Sequence, residues 1–145
     1  MDSLKLDENQ LYALDTVLII YFLERHPQYY QEVKNIFSKI ESGQISAICS
    51  TLVFSELLVP AFRADKNELA KNVVHILENF PNLKIIPMTI DISITAARLR
   101  ASYGLRTPDA IHAATAIEAS ATGIITNDKD FNKIASPDFR VWLFS

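Results

Sequence analysis

The sequence has little cysteine, little glycine and no excess of basic charge. Its 145 residues include one cysteine and three glycines, and the formal net charge is -3. A single thiol cannot build a disulfide framework, which favours a reducing compartment, and we expect Cys49 in the apolar run ISAICS to be a core residue. The pI is about 5.6, so the chain lacks the excess of basic residues typical of nucleic-acid-binding proteins. A nucleic-acid function would therefore have to rest on a local site and not on the net charge.

The chain also lacks a hydrophobic run long enough to span a bilayer. The longest apolar run near the N-terminus, residues 11–23, is interrupted by Asp15, whereas a transmembrane helix needs about 20 apolar residues. The residues before this run carry more acid than base, unlike the start of a signal peptide. We therefore expect a cytoplasmic protein with no membrane partner. Its length fits a single domain over residues 1–145, with residues 1–10 as an N-terminal extension.

Short apolar runs alternate with helical segments along the chain. The runs cover residues 11–14, 45–50, 83–87, 123–126 and 140–144. Continuous apolarity is typical of strands buried on both faces, and their alternation with helices indicates a parallel sheet. Helices are predicted over residues 16–25, 29–42, 52–63, 66–80, 91–103 and 108–121, with Pro60 kinking or ending the third. The predicted fold is a three-layer α/β/α domain with a parallel central sheet.

Glycines and one proline mark several helix ends. Gly43, Gly104 and Gly123 each follow a predicted helix, so they are predicted left-handed C-caps. The segment LRTPDAIHAATA, residues 105–116, contains a helix start in which Thr107 is a hydroxyl N-cap and Pro108 the first helical residue.

Four acidic residues stand alone in apolar surroundings near the ends of predicted strands or the start of a predicted helix: Asp15, Glu56, Asp109 and Asp128. Burying a carboxylate is costly unless it is paired or bound to a metal. None of the four has an Arg or Lys helical neighbour three or four positions away, so we expect no local neutralisation. The carboxyl ends of parallel strands share one edge of the sheet, and we expect the acids to converge there.

Four converging carboxylates repel one another unless a cation is present. Oxygen ligands suit Mg²⁺ or Mn²⁺, whereas zinc prefers His and Cys. Each acid also has an ordinary explanation: Asp15 as a helix cap, Asp109 as a first-turn acid, Asp128 in an Asx-turn and Glu56 facing solvent. We interpret the four together as one metal site, since a single site replaces four separate coincidences.

The chain resembles, over nearly its full length, a PIN domain of the VapC toxin type. The matching motifs are ALDTVLIIYFLE, STLVFSELL, LRTPDAIHAATA and ITNDKDF. The resemblance implies a metal-dependent endoribonuclease whose Mg²⁺ or Mn²⁺ ligands and catalytic residues are Asp15, Glu56, Asp109 and Asp128. It also implies a homodimer held inactive by a cognate antitoxin protein, with RNA as the substrate. In the fourth motif Asp130 is an alternative to Asp128, and the N-terminal extension departs from the family pattern.

Polar residues beside the acids have roles that the sequence leaves open. Residues that could hydrogen-bond a ligand or a metal-bound water, or serve ordinary turns and caps, are Thr16, Thr126, Asn127 and Asp130. Residues that could contact flanking phosphates, or simply be solvated, are Arg106, Lys129 and Lys133. His112, three residues after Asp109 and on the same helical face, is expected to be a packed, satisfied helix histidine rather than a metal ligand or general base.

Two other functions and one assembly state follow from the same residues. A non-catalytic PIN-fold interaction module would keep the fold without hydrolysis. A receiver-type phosphoacceptor domain would show paired acids after the first strand, where Asp15 stands alone. The apolar helices over 29–42 and 52–80, with Phe54, Phe62 and Phe80, hold more large residues than we can place in one core, so we expect a two-fold homodimer.

Overall fold

The structure is a computed structural model and describes residues 5–144. Within that range, all strands belong to one parallel sheet in the order β3-β2-β1-β4-β5. The strands are β1 (Leu11–Leu14), β2 (Ser46–Ser50), β3 (Leu83–Ile86), β4 (Gly123–Thr126) and β5 (Arg140–Leu143). Their bounds agree with the predicted strands to within one residue at each end.

Helices cover both faces of this sheet. They are α1 (Thr16–Leu23), α2 (Tyr30–Glu41), α3 (Leu52–Leu57), α4 (Val59–Arg63), α5 (Asn67–Glu78), α6 (Ile90–Tyr103) and α7 (Thr107–Glu118), followed by a 3₁₀ helix, Lys129–Ile134. The predicted third helix divides at Leu58, and Pro60 lies in the first turn of α4. The interruption expected at this proline is confirmed, because its ring cannot continue the hydrogen-bonding pattern of α3.

Alternate residues of the strands point to opposite sides of the sheet and into two separate cores. In β1, Tyr12 and Leu14 enter the core beneath α1 and α2, whereas Ala13 enters the core beneath α6 and α7. Four alanines of α7, at positions 110, 113, 114 and 116, are fully buried, which lets this helix pack closely on the sheet. The predicted three-layer α/β/α fold is confirmed.

Cys49 lies in the first of these cores, where it is 1% exposed. Burial in apolar surroundings raises the pKa of its thiol to about 12. The expectation of a structural core residue is confirmed. Within residues 5–144, no helix is both long and apolar enough to cross a membrane.

Two of the three glycine predictions are confirmed and one is wrong. Gly43 and Gly104 have φ values of 82° and 68°, as helix C-terminal glycines require. Gly123 instead begins β4, and a Cβ built on it would lie 1.9 Å from the carbonyl oxygen of Arg140. The left-handed residue after α7 is Ser120, with φ 55°. Gly123 is needed for close approach of two strands, a requirement that a sequence position after a helix does not reveal.

The predicted hydroxyl cap of α7 is also wrong. Thr107 is already helical, and the extended N-cap residue is Arg106, with φ -64° and ψ 152°. No side chain caps the helix, but the Arg106 guanidinium reaches the carboxylate of Asp109 three residues later. This pair occupies the spacing of a capping box, so an ion pair takes the place that the Thr107 hydroxyl was expected to fill.

The described part of the N-terminal extension, residues 5–10, packs against the sheet. The backbone N–H of Asp7 donates to the hydroxyl of buried Tyr12 at 2.8 Å, and the backbone N–H of Asn9 donates to the carbonyl of Gln44 at 2.8 Å. The Asp7 carboxylate lies 3.6 Å from the Arg140 guanidinium. These contacts extend the fold beyond β1, whereas residues 1–4 of the predicted extension lie outside the described range.

Candidate active site

All four predicted acids line one open cleft at the carboxyl edge of the sheet, with a volume of about 600 Å³. They reach it from four places: Asp15 from the end of β1, Glu56 from α3, Asp109 from the first turn of α7 and Asp128 from just beyond β4. The strand order places β1 and β4 side by side at the centre of the sheet. Residues far apart in the sequence therefore share one site.

Asp15 is both a helix cap and a buried wall of the cleft. Its Oδ1 accepts a hydrogen bond from the backbone N–H of Thr16 at 2.8 Å, and its Oδ2 accepts one from the Thr126 hydroxyl at 2.7 Å. The side chain is 8% exposed. Burial raises the pKa of this carboxyl, Asp109 raises it further, and the Thr126 hydrogen bond opposes both. The cap and site interpretations are thus compatible.

Glu56 is held by two hydrogen-bonding side chains. Its Oε1 accepts a hydrogen bond from the Thr16 hydroxyl at 2.7 Å and lies 2.8 Å from Nε2 of His112. Burial pushes the pKa of Glu56 upward, but the hydrogen bonds from His112 and Thr16 outweigh it and lower the pKa. The alternative of a carboxylate that simply faces solvent does not describe this residue, whose side chain is 34% exposed.

Asp109 is buried but paired. Its side chain is only 7% exposed, and its Oδ2 accepts a hydrogen bond from Nε of Arg106 at 3.1 Å. The same guanidinium lies 3.8 Å from Oδ2 of Asp128. The expectation that no acid would have a basic neighbour three positions away is wrong here, because the extended N-cap conformation lets Arg106 fold back over the first turn. Asp109 raises the pKa of the Arg106 guanidinium in return.

Asp128, rather than Asp130, faces the cleft. Oδ1 of Asp128 accepts a hydrogen bond from the backbone N–H of Asp130 at 2.9 Å, which caps the 3₁₀ helix, while its Oδ2 points toward Arg106. The Asp130 carboxylate lies 4.0 Å from the ammonium of Lys133 and does not line the cleft. The turn interpretation of Asp128 is correct, and its second oxygen remains available to the site.

The residues predicted to assist the acids divide into those that contact them and those that do not. Thr16 and Thr126 donate hydrogen bonds to Glu56 and Asp15. Asn127 lines the cleft, but its amide donates to the Tyr21 hydroxyl at 3.2 Å. Among the predicted phosphate contacts, Arg106 is engaged with the acids, Lys133 pairs with Asp130, and Lys129 is an exposed residue at the cleft wall.

His112 contributes more to the site than its sequence pattern indicated. It is 2% exposed, and its Nε2 lies within hydrogen-bonding distance of both Glu56 and Thr16. Its Nδ1 has no hydrogen-bond partner. The expected packing is present, but the histidine is not internally satisfied. The only sequence signal was its position on the same helical face as Asp109.

The donor set fits a hard divalent cation in its chemistry, although the side chains do not close around one point. Oxygen atoms of four carboxylates are the donors that Mg²⁺ and Mn²⁺ prefer. Across residues 5–144, however, no group of three or more His, Cys, Asp or Glu side chains is close enough to hold a metal ion. Arg106 lies within ion-pairing distance of Asp109 and Asp128, and His112 contacts Glu56, so a cation would have to compete with these contacts.

These features define an α/β/α domain with a carboxylate-lined cleft at the edge of a parallel sheet. The chain matches the PIN domain family over residues 12–137, a range that includes all four acids, and it belongs to that family. Among curated protein sequences none matches significantly.

Solved structures share the fold at low sequence identity. VapBC2 from Rickettsia felis, bound to a DNA fragment from its promoter, is 21% identical with a TM-score of 0.69, and the match covers 93% of this chain and 99% of that one. FitAcB from Neisseria gonorrhoeae is 23% identical with a TM-score of 0.63, covering 91% and 96%. VapC20 from Mycobacterium tuberculosis, a sarcin-ricin loop cleaving toxin, is 14% identical with a TM-score of 0.69, covering 90% and 98%.

Proposed function

We propose that this protein is a Mg²⁺- or Mn²⁺-dependent endoribonuclease of the VapC type and the toxin of a toxin-antitoxin pair. The observation that carries the proposal is the convergence of Asp15, Glu56, Asp109 and Asp128 on one cleft. Two of these carboxylates, Asp15 and Asp109, are 8% and 5% exposed. Asp109 is paired with Arg106, but Asp15 has no ion pair among the described residues, and a buried carboxylate of this kind is typical of a functional site. Because RNA is the proposed substrate, we place the protein in the cytoplasm.

In this proposal the four carboxylates hold the cation and the basic residues at the mouth of the cleft meet the substrate. A bound divalent cation would supply the charge that activates water for attack on a phosphodiester and stabilises the departing oxygen. Thr126 and Thr16 keep Asp15 and Glu56 oriented through their hydrogen bonds. Lys129, exposed at the cleft wall, can contact a flanking phosphate without giving up an ion pair among the described residues.

The second candidate, a PIN-fold module without catalysis, predicts no need for this arrangement. A pure interaction domain does not need four carboxylates in one cleft, where Asp109 raises the pKa of Asp15 by repulsion. The chain belongs to the PIN family, so it is not a receiver-type phosphoacceptor domain, an alternative that the lone Asp15 already disfavoured. The catalytic proposal therefore accounts for an unfavourable feature that the interaction module leaves without a purpose.

The homodimer is also a proposal, and the structure changes the surface that we assign to it. Phe54 and Phe80 pack against the core, so only Phe62 of the three predicted interface residues is well exposed. The exposed face of α6 instead carries residues spaced four, three and four apart: Ile90, Ile94, Ala97 and Ala101. This spacing is that of a helix-pairing seam. In an antiparallel pair, Asp91 of one copy would approach Arg98 of the other.

A cognate antitoxin is the remaining proposed partner. Near α4 and α5 lies a groove of about 690 Å³, lined by Leu58, Phe62 and Val74 among others. Exposed apolar residues on these helices include Val59, Leu69 and Ile76. A surface of this kind suits an apolar segment of another protein. We propose that the antitoxin binds there, which leaves α6 free for the second copy.

A cleavage assay tests the nuclease proposal. Purified protein is incubated with structured and unstructured RNAs in the presence of Mg²⁺, Mn²⁺ or a chelator, and we expect cleavage only with a metal. Asp128→Asn should abolish cleavage, whereas Asp130→Asn, a matched change two residues away and outside the cleft, should retain it. Chelator-resistant cleavage, or equal activity of the two variants, would contradict the assignment of the site. If the protein cleaves none of the RNAs, with or without metal, the result would favour the interaction module.

A further inference from the structure

The Nδ1 atom of His112 is the one buried side-chain nitrogen or oxygen in residues 5–144 that has no hydrogen-bond partner. The His112 side chain is 1% exposed, so solvent does not satisfy this atom. On the other side of the ring, Nε2 lies 2.8 Å from Oε1 of Glu56 and 3.0 Å from the hydroxyl oxygen of Thr16. One ring nitrogen is thus fully engaged with the site and the other with nothing.

This asymmetry determines where the imidazole carries its hydrogen. An ionised carboxylate only accepts hydrogen bonds, so Nε2 must donate to Glu56. A hydrogen on Nδ1 would be buried without an acceptor, which is unfavourable. The contacts therefore place a hydrogen on Nε2 and leave Nδ1 without a hydrogen-bond partner. The Thr16 hydroxyl donates to the same Oε1 at 2.7 Å, which completes a three-membered cluster.

Glu56 needs such support because its own helix places it poorly. Helix α3 has six residues, no side-chain cap and one buried residue, Val53. His112, in contrast, lies on α7, whose buried run includes eight residues against the sheet. Oε1 of Glu56 accepts both hydrogen bonds, so Oε2 has no hydrogen bond among the described residues. The cluster thus ties an acid on a weakly anchored helix to a rigid one.

We infer that His112 is a positioning residue whose Nε2–H holds Oε1 of Glu56 and turns Oε2 toward the cation site. The inference rests on the proposed function, since it takes a divalent cation as the ligand of Glu56. His112 touches neither substrate nor cation in this arrangement. Its effect on binding passes through Glu56 alone, and this restriction is what the experiment can measure.

The first measurement needs neither metal nor RNA. In ¹⁵N-labelled, metal-free protein near neutral pH, the imidazole nitrogen shifts report the tautomer directly. We expect a protonated Nε2 for His112, assigned by the loss of its signals in a His112→Gln sample. An unprotonated Nε2 would overturn the inference whatever the activity of the protein.

The second measurement is a double-mutant cycle on Mn²⁺ affinity, read from the free Mn²⁺ signal in electron paramagnetic resonance. His112→Phe keeps a ring but removes the donor, and we expect affinity to fall by roughly tenfold or more. His112→Gln places an amide N–H near the position of Nε2 and should restore most of the affinity. In a Glu56→Gln background, His112→Phe should cause little further loss. Melting curves confirm that each variant is folded.

The outcomes separate this inference from the proposed function. Wild-type protein that binds no Mn²⁺ would overturn both. Wild-type binding with an unchanged affinity in His112→Phe would overturn the positioning role and leave the metal site standing. An equal loss from His112→Phe in the Glu56→Gln background would show that His112 acts independently of Glu56, which also overturns it.

Discussion

The change Asp109→Asn separates the two interpretations of the first turn of α7, as a helix-stabilising acid or as a ligand. Removing the charge loses the favourable interaction with the helix dipole, about 0.3–1 kcal/mol. It also loses the ion pair with Arg106, whose side chain is 72% exposed, and an exposed partner of this kind contributes roughly 0–1 kcal/mol. The carboxylate nevertheless lies in a cleft where it raises the pKa of buried Asp15, so its removal relieves repulsion.

These contributions nearly cancel in the metal-free protein. The two losses together amount to about 0.3–2 kcal/mol, and relief of the repulsion and of charge burial opposes them. We expect the free energy of unfolding without metal to change by about 1 kcal/mol or less in either direction. If Asp109 had no ion pair with Arg106, removing its charge would leave the metal-free stability unchanged or raise it. Because the ion pair is present and is lost in Asp109→Asn, the expected change in stability lies closer to zero.

The response to metal should differ far more. A ligand that binds only the native state at 100 times its dissociation constant stabilises it by about 2.7 kcal/mol. For a chain of this size, each kcal/mol shifts the melting temperature by roughly 3–4 °C. Wild-type protein should therefore gain about 8–11 °C in saturating Mn²⁺, and Asp109→Asn should gain almost nothing.

The assay is a melting curve at each Mn²⁺ concentration, paired with the RNA cleavage assay on the same samples. Asp130→Asn serves as the control, because it removes an acid close to the cleft that does not line it. If Asp109→Asn lowers metal-free stability by more than about 2 kcal/mol yet keeps both the Mn²⁺ shift and cleavage, Asp109 only stabilises its helix, and the ligand interpretation fails.

Three further predictions follow from other parts of the structure. Because burial raises the pKa of Asp15 in the native state, ionisation of Asp15 costs stability as pH rises above about 4. Metal-free Asp15→Asn should therefore be more stable than wild type at pH 7, with no difference in stability below about pH 4. A difference that does not depend on pH in denaturant titrations would contradict this prediction. Gly123→Ala should destabilise the protein by about 3 kcal/mol or more, since the added Cβ would collide with β5. The Cβ added in Gly104→Ala meets nothing within 4 Å, so this control should cost only the left-handed backbone strain of about 1–2 kcal/mol. Equal losses of stability in thermal unfolding would refute the close approach of Gly123 to β5. Ile94→Asp on the α6 seam should convert a homodimer to a monomer in light scattering, and an unchanged dimer would place the interface elsewhere.

The parts of the site that sequence could predict are those controlled by topology. Asp15 follows β1 and Asp128 follows β4, and these two strands are neighbours in a parallel sheet. Any parallel arrangement places the ends of its strands at one edge, so the convergence of isolated acids there follows from strand positions alone. The sequence was sufficient for this because a strand end is a local feature and the shared edge is a general property of the fold.

Contacts made by long side chains across elements were not predictable in the same way. The pairing of Arg106 with Asp109 depends on an extended residue before α7, where the sequence indicated a Thr107 cap. The contact between His112 and Glu56 joins residues 56 positions apart on different helices. Helical periodicity places His112 on the face of Asp109, but it does not show which element that face meets.

Large apolar residues illustrate a similar limit. The number of large residues in the helices over 29–42 and 52–80 predicts an interface that includes Phe54 and Phe80. In the structure Phe80 packs edge-on against Phe37, with ring centroids 5.5 Å apart, and Phe54 packs against the same core. A count of large residues does not reveal which of them are partly buried at the margin of a core, as both of these are. The exposure of Ile90 and Ile94 depends on which face of α6 packs against the rest of the domain, and the sequence does not show this.

The Arg106 contact changes the electrostatic argument for the whole site. Counting four carboxylates alone gives a cluster that only cations from solution could neutralise. In the structure one guanidinium lies 3.1 Å from Asp109 and 3.8 Å from Asp128, so the chain itself supplies part of the compensating charge. Arg106 can contact these acids or a substrate phosphate, but its single guanidinium cannot fully serve both. If a divalent cation bound the two acids, as we propose, this exposed arginine would become available to a substrate phosphate, and metal binding would then favour substrate binding.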